Sequence, residues 1–426
     1  MKVPARLAGA RILQPLRHRD YALLVGGSIV SLFGDGFFFL ALTWQVYSIS
    51  NVPTAMAFVG VAGTVPSVLF LLIGGALSDR YDRRKLMISA DLVRFAAIGL
   101  MALLAASGSI QVWHIGLLYA FVGFGNAFFN PASSAIVPDL VPSDELPSAN
   151  AFAGMYRPLV ARMIGPAVAG VVVAVAGPPT ALGIDAVSFL FSAAAVLAIR
   201  TRPVRKPVVD HGIRQTFAEV REGLAYVKSV PWIWATLVAA MFSLLVFMGP
   251  VEVLVPFLIK NRLGLGPDSL GLIFAAGGIG AIVSSFAAGA AGMPRRRITV
   301  MYAAWALGVA CIALFGFMTS LWQAVLISFA LQILFQLGSI IWETTLQQHV
   351  PRALLGRVAS LDWLVSTGLV PVSFLLTGPI SGVFGPEVTI IGGGLLGAAL
   401  MGTLLFVPGV RDLDHDPAPA TAVEPA

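Results

Sequence analysis

The chain has 426 residues, of which 58% are hydrophobic and only 11% charged, and its mean hydropathy is +0.88. Soluble domains carry about a quarter charged residues, so this composition excludes an ordinary soluble protein and indicates a membrane protein. The net charge of +6 does not indicate nucleic-acid binding, because the basic residues form short clusters between apolar runs. The single cysteine, Cys311, excludes an internal disulfide.

Twelve apolar segments follow one another along the chain, each about as long as a helix that crosses a bilayer. Ser107-Gly108 and Gly177-Pro178-Pro179 predict the tight turns that separate spans 3 and 4 and spans 5 and 6. The sequence therefore predicts an all-α polytopic membrane protein. The predicted spans 1 to 12 lie at 21–47, 55–77, 86–107, 110–130, 149–176, 180–199, 232–259, 268–292, 298–318, 321–344, 354–378 and 385–407.

The longest loop divides the spans six and six, and similar basic stretches follow spans 2 and 8, as expected of two related halves. Ile213–Leu224 alternates apolar and charged residues at helical spacing, which predicts an amphipathic helix on the membrane surface; a plain linker is compatible with it. We expect an N-terminal segment, a six-helix bundle, a linker, a second six-helix bundle and a disordered tail, at 1–20, 21–199, 200–231, 232–407 and 408–426.

The basic residues also predict orientation. Of the 27 Lys and Arg, 22 lie in the N-terminal segment, the tail and the loops that lead from even to odd spans, and only Lys260 and Arg262 lie in the other loops. By the positive-inside rule, both termini and the linker are cytoplasmic in the cell (inner) membrane. The N-terminal segment lacks a cleavage site and is expected to be retained.

One loop carries a specific motif. Between spans 2 and 3 the chain reads Gly75-Ala-Leu-Ser-Asp-Arg-Tyr-Asp-Arg-Arg-Lys85, which resembles the loop 2–3 signature of the major facilitator superfamily, except that Asp82 replaces a glycine. The resemblance implies two six-helix pseudo-symmetric bundles and a gate that locks the outward-open state. In it Asp79 would face the N-terminus of helix 11 and Arg83 would pair with Asp139; alternatively, these charges only fix topology. The implied gating residues are Gly75, Asp79, Arg80, Arg83, Arg84 and Asp139.

Further stretches narrow the resemblance. Gly34-Asp35-Gly36, Phe129–Asp139, Ile184–Phe189 and Gln347–Pro351 look like the macrolide-efflux and enterobactin-exporter branch of the twelve-span drug:proton antiporters, over residues 17–407. In span 5, Gly165, Pro166 and Gly170 are similar to the antiporter signature, with Ala169 in place of a glycine. These three residues allow close packing and a bend, and whether they seal the path or only pack is open.

Charged residues inside spans are costly in lipid unless they meet a partner or water. Asp35 lies between two glycines in span 1, so we expect it to bind protons or substrate, with Glu252 as the second candidate. The alternative is permanent pairing of Asp35 with Arg157 or Arg162; an anionic substrate group is a further alternative for these arginines. Structural charges are expected at Asp91 and Arg94, which share a helix face, and at Asp185 and Asp362.

Aromatic residues in the spans that line the family's cavity favour a bulky amphipathic substrate, although each alone fits ordinary packing. They include Phe38, Trp44, Phe247, Trp342 and Trp363. Nothing indicates an enzyme: there is no Walker A loop, no metalloprotease motif and no zinc spacing, so we expect no cofactor, metal or nucleotide site.

Together these features predict a monomeric, proton-coupled secondary exporter of amphipathic small molecules that works by alternating access. Its expected partners are the substrate, protons and the lipid bilayer. A siderophore exporter and a lysophospholipid carrier remain alternatives, and from other classes a transport-inactive sensor or scaffold and a channel. The intramembrane acids and the loop 2–3 charges argue against an inactive protein.

Overall fold

The computed structural model describes residues 12–200 and 213–414, and the regular elements in these ranges are helices. Side chains are not described at a few helical positions, which are residues 72, 76, 79, 80, 213–220, 352 and 353. Eleven described stretches are long and apolar enough to cross a membrane. This confirms an all-α polytopic membrane protein.

The helices keep the span numbers used for the sequence. Spans 1 to 4 are Arg19–Ile49, Pro53–Arg80, Arg83–Ala106 and Val112–Leu140. Spans 5 and 6 are formed by Leu146–Pro158, a π-helical turn Leu159–Ile164 and Gly165–Leu197. The linker helix is Ile213–Ser229. Spans 7 to 10 are Pro231–Asn261, Pro267–Ala291, Arg297–Leu314 and Leu321–His349. Span 11 consists of Arg352–Gly368 and Val370–Phe384, and span 12 is Pro386–Thr403.

The helical stretch of 52 residues from Leu146 to Leu197 reverses direction at Gly177, whose φ of 79° and ψ of 165° are not helical. A Cβ added to Gly36 would lie 2.7 Å from the Cα of Gly165, and one added to Gly34 would lie 2.3 Å from Ser188 Oγ. Residues on either side of Gly177 therefore meet the same turn of span 1. The positive φ needs glycine, and the reversal divides this stretch into spans 5 and 6, which supports the count of twelve.

Span ends follow from proline and acidic caps. Pro53, Pro267 and Pro386 each begin a helix, where the missing amide proton costs nothing. Asp82 caps span 3, since its side chain accepts a hydrogen bond from the Arg84 amide at 2.9 Å. Aspartate at the family's glycine position thus builds the turn as a helix cap. Span 4 runs ten residues beyond the predicted end at 130, because its helix continues through Pro131.

The described chain forms two compact units. The first comprises residues 12–200 and 256–278, and the second residues 213–255 and 279–414. The first unit therefore includes the end of span 7 and the start of span 8, which the sequence analysis placed in the bundle 232–407. These residues join it because span 8 meets span 5 backbone to backbone, with Gly271 against Gly170.

The side of the membrane with loops 2–3, 8–9 and 10–11 is called the basic side below; the sequence predicts it to be cytoplasmic. There the linker helix packs against span 11 within the second unit: Val227 is buried, and Glu222 accepts a hydrogen bond from Arg357 at 2.5 Å.

The tail was expected to be disordered from residue 408, and this expectation is wrong for its first residues. Asp414 caps span 9 by accepting hydrogen bonds from the Ile298 amide at 2.7 Å and the Thr299 amide at 3.0 Å. An acidic residue is favoured at this helix N-terminus by the helix dipole. Residues 415–426 and 1–11 lie outside the described residues.

Candidate functional site

A buried charge cluster lies inside the first unit, and Arg94 in span 3 is its centre. The guanidinium donates hydrogen bonds to Asp91 and, at 3.1 Å, to Asn126 Oδ1 of span 4. It also lies over the rings of Phe129, at 4.2 Å from the centroid, and Phe189, at 4.4 Å. The predicted pairing of Asp91 with Arg94 is confirmed, and both side chains are almost fully buried.

Two glycines make room for this cluster. A Cβ on Gly125 would lie 2.8 Å from Arg94 Cγ, and a Cβ on Gly34 would lie 2.4 Å from Asp185 Oδ1. Asp185 is wholly buried, and Ser188 donates to its Oδ1 at 3.4 Å. Arg94 and Asp185 therefore fit between the helices only because span 4 and span 1 carry no side chain at these points.

Asp35 belongs to the same cluster, and its side chain is partly accessible. It interacts electrostatically with Arg94 and Asp91, and Asp185 interacts with Asp35. The alternative that Asp35 pairs with Arg157 or Arg162 is contradicted, because both arginines are exposed and neither forms an ion pair with a described residue. Neither arginine of span 5 is therefore the counter-charge of Asp35. That charge comes from Arg94 in span 3.

The cluster holds three carboxylates and one guanidinium. Asp91 Oδ2 and Asp185 Oδ2 are buried without a hydrogen-bond partner in the described part of the chain. An apolar interior penalises each uncompensated charge strongly, so the uptake of a proton by one carboxyl would reduce the excess from two negative charges to one. The sequence predicted only structural roles for Arg94 and Asp185, and Asn126 was not predicted at all. The motif that contains Asp185 was recognised, but the helix that it faces could not be predicted.

On the basic side, Arg83 holds the loop between spans 2 and 3 against span 4. Its guanidinium donates to Asp139 Oδ2 and to the Ala135 carbonyl, both at 2.8 Å, which confirms the predicted pairing of Arg83 with Asp139. Arg84 donates to the Leu197 carbonyl at 3.0 Å, at the end of span 6. The side chains of Asp79 and Arg80 lie outside the described ones.

The span 5 motif makes two backbone contacts within the first unit. Gly165 lies against Gly36 of span 1, and a Cβ on Gly170 would lie 2.9 Å from the Cα of Gly271 in span 8. Pro166 is buried between them. The geometry thus gives all three residues a packing role, as small residues have at helix crossings in membranes.

The predicted cavity aromatics divide into two groups. Phe38, Phe247 and Trp342 are at most 7% exposed and are packed between helices, so the expectation that they line a cavity is wrong for these three. The rings of Phe38 and Tyr119 pack at a tilt of 58°, with their centroids 5.0 Å apart. Trp44 is half-buried beneath the Lys260 ammonium at 5.8 Å, and Trp363 is 49% exposed. Helical spacing alone does not tell a packed face from an open one.

In the second unit, Trp342 packs edge-on against Trp232 and donates to Asp362 Oδ2 at 3.3 Å. Glu252 is half-buried in span 7, and it forms an interaction with its surroundings. Among the described residues, no group of three or more His, Cys, Asp or Glu side chains could hold a metal ion.

Comparison with known proteins identifies the family of the chain. The family model described as "Transmembrane secretion effector" matches residues 10–424. The chain is 25% identical to the multidrug efflux pump Tap of Mycolicibacterium fortuitum, over 92% of this chain and 96% of that protein. It is 22% identical to macrolide efflux protein A of Streptococcus pyogenes, over 82% and 86% of the two chains. It is 27% identical to the enterobactin exporter EntS of Citrobacter koseri, over 75% and 72%.

Solved structures with the same fold are transporters. The D-xylose-proton symporter has a TM-score of 0.68 at 14% identity, covering 92% of this chain and 98% of that one. A bacterial homologue of the iron transporter ferroportin, in an inward-facing state, has a TM-score of 0.65 at 17% identity, covering 90% and 98%. At such identities the likeness shows the fold.

Proposed function

Since this chain belongs to the transmembrane secretion effector family of the major facilitator superfamily, we propose that it is a proton-coupled exporter of amphipathic small molecules. It is a multi-pass protein of the cell membrane, and its named relatives are efflux pumps and exporters. Transport by this superfamily needs no catalytic residue, because substrate and coupling ion move through alternating conformations of two helical halves.

The observation that carries proton coupling is the buried cluster around Arg94. Asp35 is its only partly accessible carboxyl, whereas Asp91 and Asp185 are fully buried. A proton carrier must exchange with water and must also sense a change in its electrostatic surroundings. The partial exposure of Asp35 and its interaction with Arg94 as counter-charge support this residue as the carrier. Glu252 in the second unit is the second candidate for proton or substrate binding.

The substrate class follows from the relatives and from the scarcity of charge. The relatives are named for multidrug, macrolide and enterobactin export. The substrates in these names are bulky organic molecules with apolar surface. Trp363 and Trp44 are the predicted aromatics that stay at least partly open and are the candidates for stacking on substrate. A catecholate siderophore and a lysophospholipid are the alternative substrates.

Gating is assigned to the loop between spans 2 and 3. The Arg83–Asp139 pair and the cap at Asp82 hold this loop in a fixed shape. We assign Asp79 the role that the family resemblance implies, a contact with the N-terminus of span 11 in the outward-open state. Gly75, one turn before Asp79, would provide the small surface for that contact, with Arg80 and Arg84 beside it. We assign the basic side and both termini to the cytoplasm. We propose that the protein is a monomer.

Reconstitution tests this function. Purified protein in liposomes with an imposed pH gradient is offered a macrolide, a catecholate siderophore and a lysophospholipid in separate experiments. An exporter of this kind moves at least one compound against its gradient, and a protonophore stops it. Downhill flux that never saturates would indicate a channel, and no flux of any compound would indicate a transport-inactive protein.

A further inference from the structure

The first unit contains a second polar feature, separate from the Arg94 cluster. A partly enclosed cavity of about 320 Å³ lies between spans 1, 4 and 5, in the half of the unit nearer the basic side. Its apolar wall includes Leu24 and Val25, and its polar wall includes Arg157. Ser28 in its lining and Asp35 are about 10 Å apart along span 1, so the cavity and the Arg94 cluster are neighbours along one helix.

Arg157 is the only charged side chain among the described residues that line this cavity. It forms no hydrogen bond and no ion pair with a described residue. An arginine inside a membrane-crossing stretch is tolerated when it meets water or an anion. Because the described residues that line the cavity include no acid, the positive charge of Arg157 is uncompensated within this lining.

The lining also includes the polar side chains of Ser28, Ser134 and Asn150. None of them makes a hydrogen bond within the described part of the chain. The hydroxyls and the amide NH₂ can donate, and the guanidinium offers a planar fork that matches a carboxylate, sulfonate or phosphate. Tyr21 is already engaged, since it donates to the Ala149 carbonyl at 3.1 Å.

We propose that this cavity binds the acidic group of an amphipathic substrate, with Arg157 as the anion ligand and Ser28, Ser134 and Asn150 as additional donors. The inference rests on the proposed export function and narrows its substrate class to amphiphiles that carry a negative charge. Leu24 and Val25 contact the apolar part next to that charge. A phospholipid headgroup offers the same oxyanion chemistry, so the experiment has to separate the two sources.

Binding of two matched fluorescent amphiphiles to the full chain in nanodiscs tests the proposal. Anilinonaphthalenesulfonate is anionic, and N-phenylnaphthylamine has the same ring system without the charge. In phosphatidylcholine discs, Arg157→Gln should weaken binding of the sulfonate at least about tenfold and leave binding of the neutral probe unchanged. Arg157→Lys should retain part of the affinity. The control Arg295→Gln removes an exposed charge of the basic side and should change neither probe.

Equal loss of both probes in Arg157→Gln, or unchanged sulfonate binding, would overturn the proposal. The proposal would also fail if phosphatidylglycerol competed with the sulfonate in the wild type but not in Arg157→Gln, because the site would then bind a lipid headgroup. These results are independent of transport: if reconstituted protein exports a neutral compound while Arg157 has no effect on the sulfonate, the anion site fails and the export function stands. If nothing is transported, the export function fails whatever the probes show.

Discussion

The carboxylate of Asp185 packs directly against the backbone of Gly34. A Cβ at residue 34 would lie 2.4 Å from Asp185 Oδ1 and 2.3 Å from Ser188 Oγ, closer than any non-bonded contact allows. The glycine before Asp35 is therefore required by an acid of span 6. Its function is to let a buried charge approach the first span, and it places Asp185 beside the proposed proton carrier.

From this contact we expect Gly34→Ala to destabilise the first unit by about 1–3 kcal/mol, the usual cost of overpacking a close-packed interior. Gly26→Ala is the matched control in the same helix, because a Cβ at Gly26 meets no atom within 4 Å. Thermal unfolding of the purified protein in detergent measures both. Equal melting temperatures for the two variants would show that span 6 does not pack against Gly34 as described.

The adjacent glycines of span 2 should differ in the same way. A Cβ on Gly74 would lie 2.0 Å from the Ala127 carbonyl oxygen, whereas a Cβ on Gly75 meets nothing within 4 Å. Gly74→Ala should therefore lower the melting temperature. Gly75→Ala should leave it unchanged and still reduce transport several-fold, because the motif glycine is needed only when another conformation closes on it. Wild-type transport by Gly75→Ala would remove the gating role from this residue.

Orientation has its own test, for which the single cysteine is an advantage. In a Cys311→Ser background, a cysteine introduced by Arg295→Cys, in loop 8–9, should be protected from an impermeant maleimide in intact cells. One introduced by Ser109→Cys, in the turn between spans 3 and 4, should be labelled, since both positions are exposed in the structure. The opposite labelling pattern would invert the topology predicted by the positive-inside rule.

Helical spacing predicted contacts within one helix, but it did not predict which residues of different helices meet. Asp91 and Arg94 pair within one helix, so their spacing predicted the contact. The Arg83–Asp139 pair came from the family motif, and no helical periodicity would have found it. The partner of Asp35 could not be found either way, because hydrophobicity places a residue in a span and leaves open which helix faces it. For the same reason Trp342 was expected in a cavity and is found in packed core.

At Asp414 in the tail, the sequence predicted too little structure. Low hydrophobicity and several prolines predicted disorder from residue 408, yet Asp414 caps span 9 and Val410 is fully buried. A cap is a contact between two distant segments, which composition does not reveal.

In the proposed function, Asp35 couples export to protons. The most direct measurement is accumulation of a transported compound by purified protein in liposomes, driven by an imposed pH gradient, for the wild type and for Asp35→Asn. Asp144→Asn, at an exposed position on the basic side, is the control. Coupling through Asp35 predicts uphill transport by the wild type and by Asp144→Asn, which a protonophore abolishes. It predicts no uphill transport by Asp35→Asn, whose melting temperature should be unchanged. Uphill transport by Asp35→Asn at the wild-type rate would contradict it.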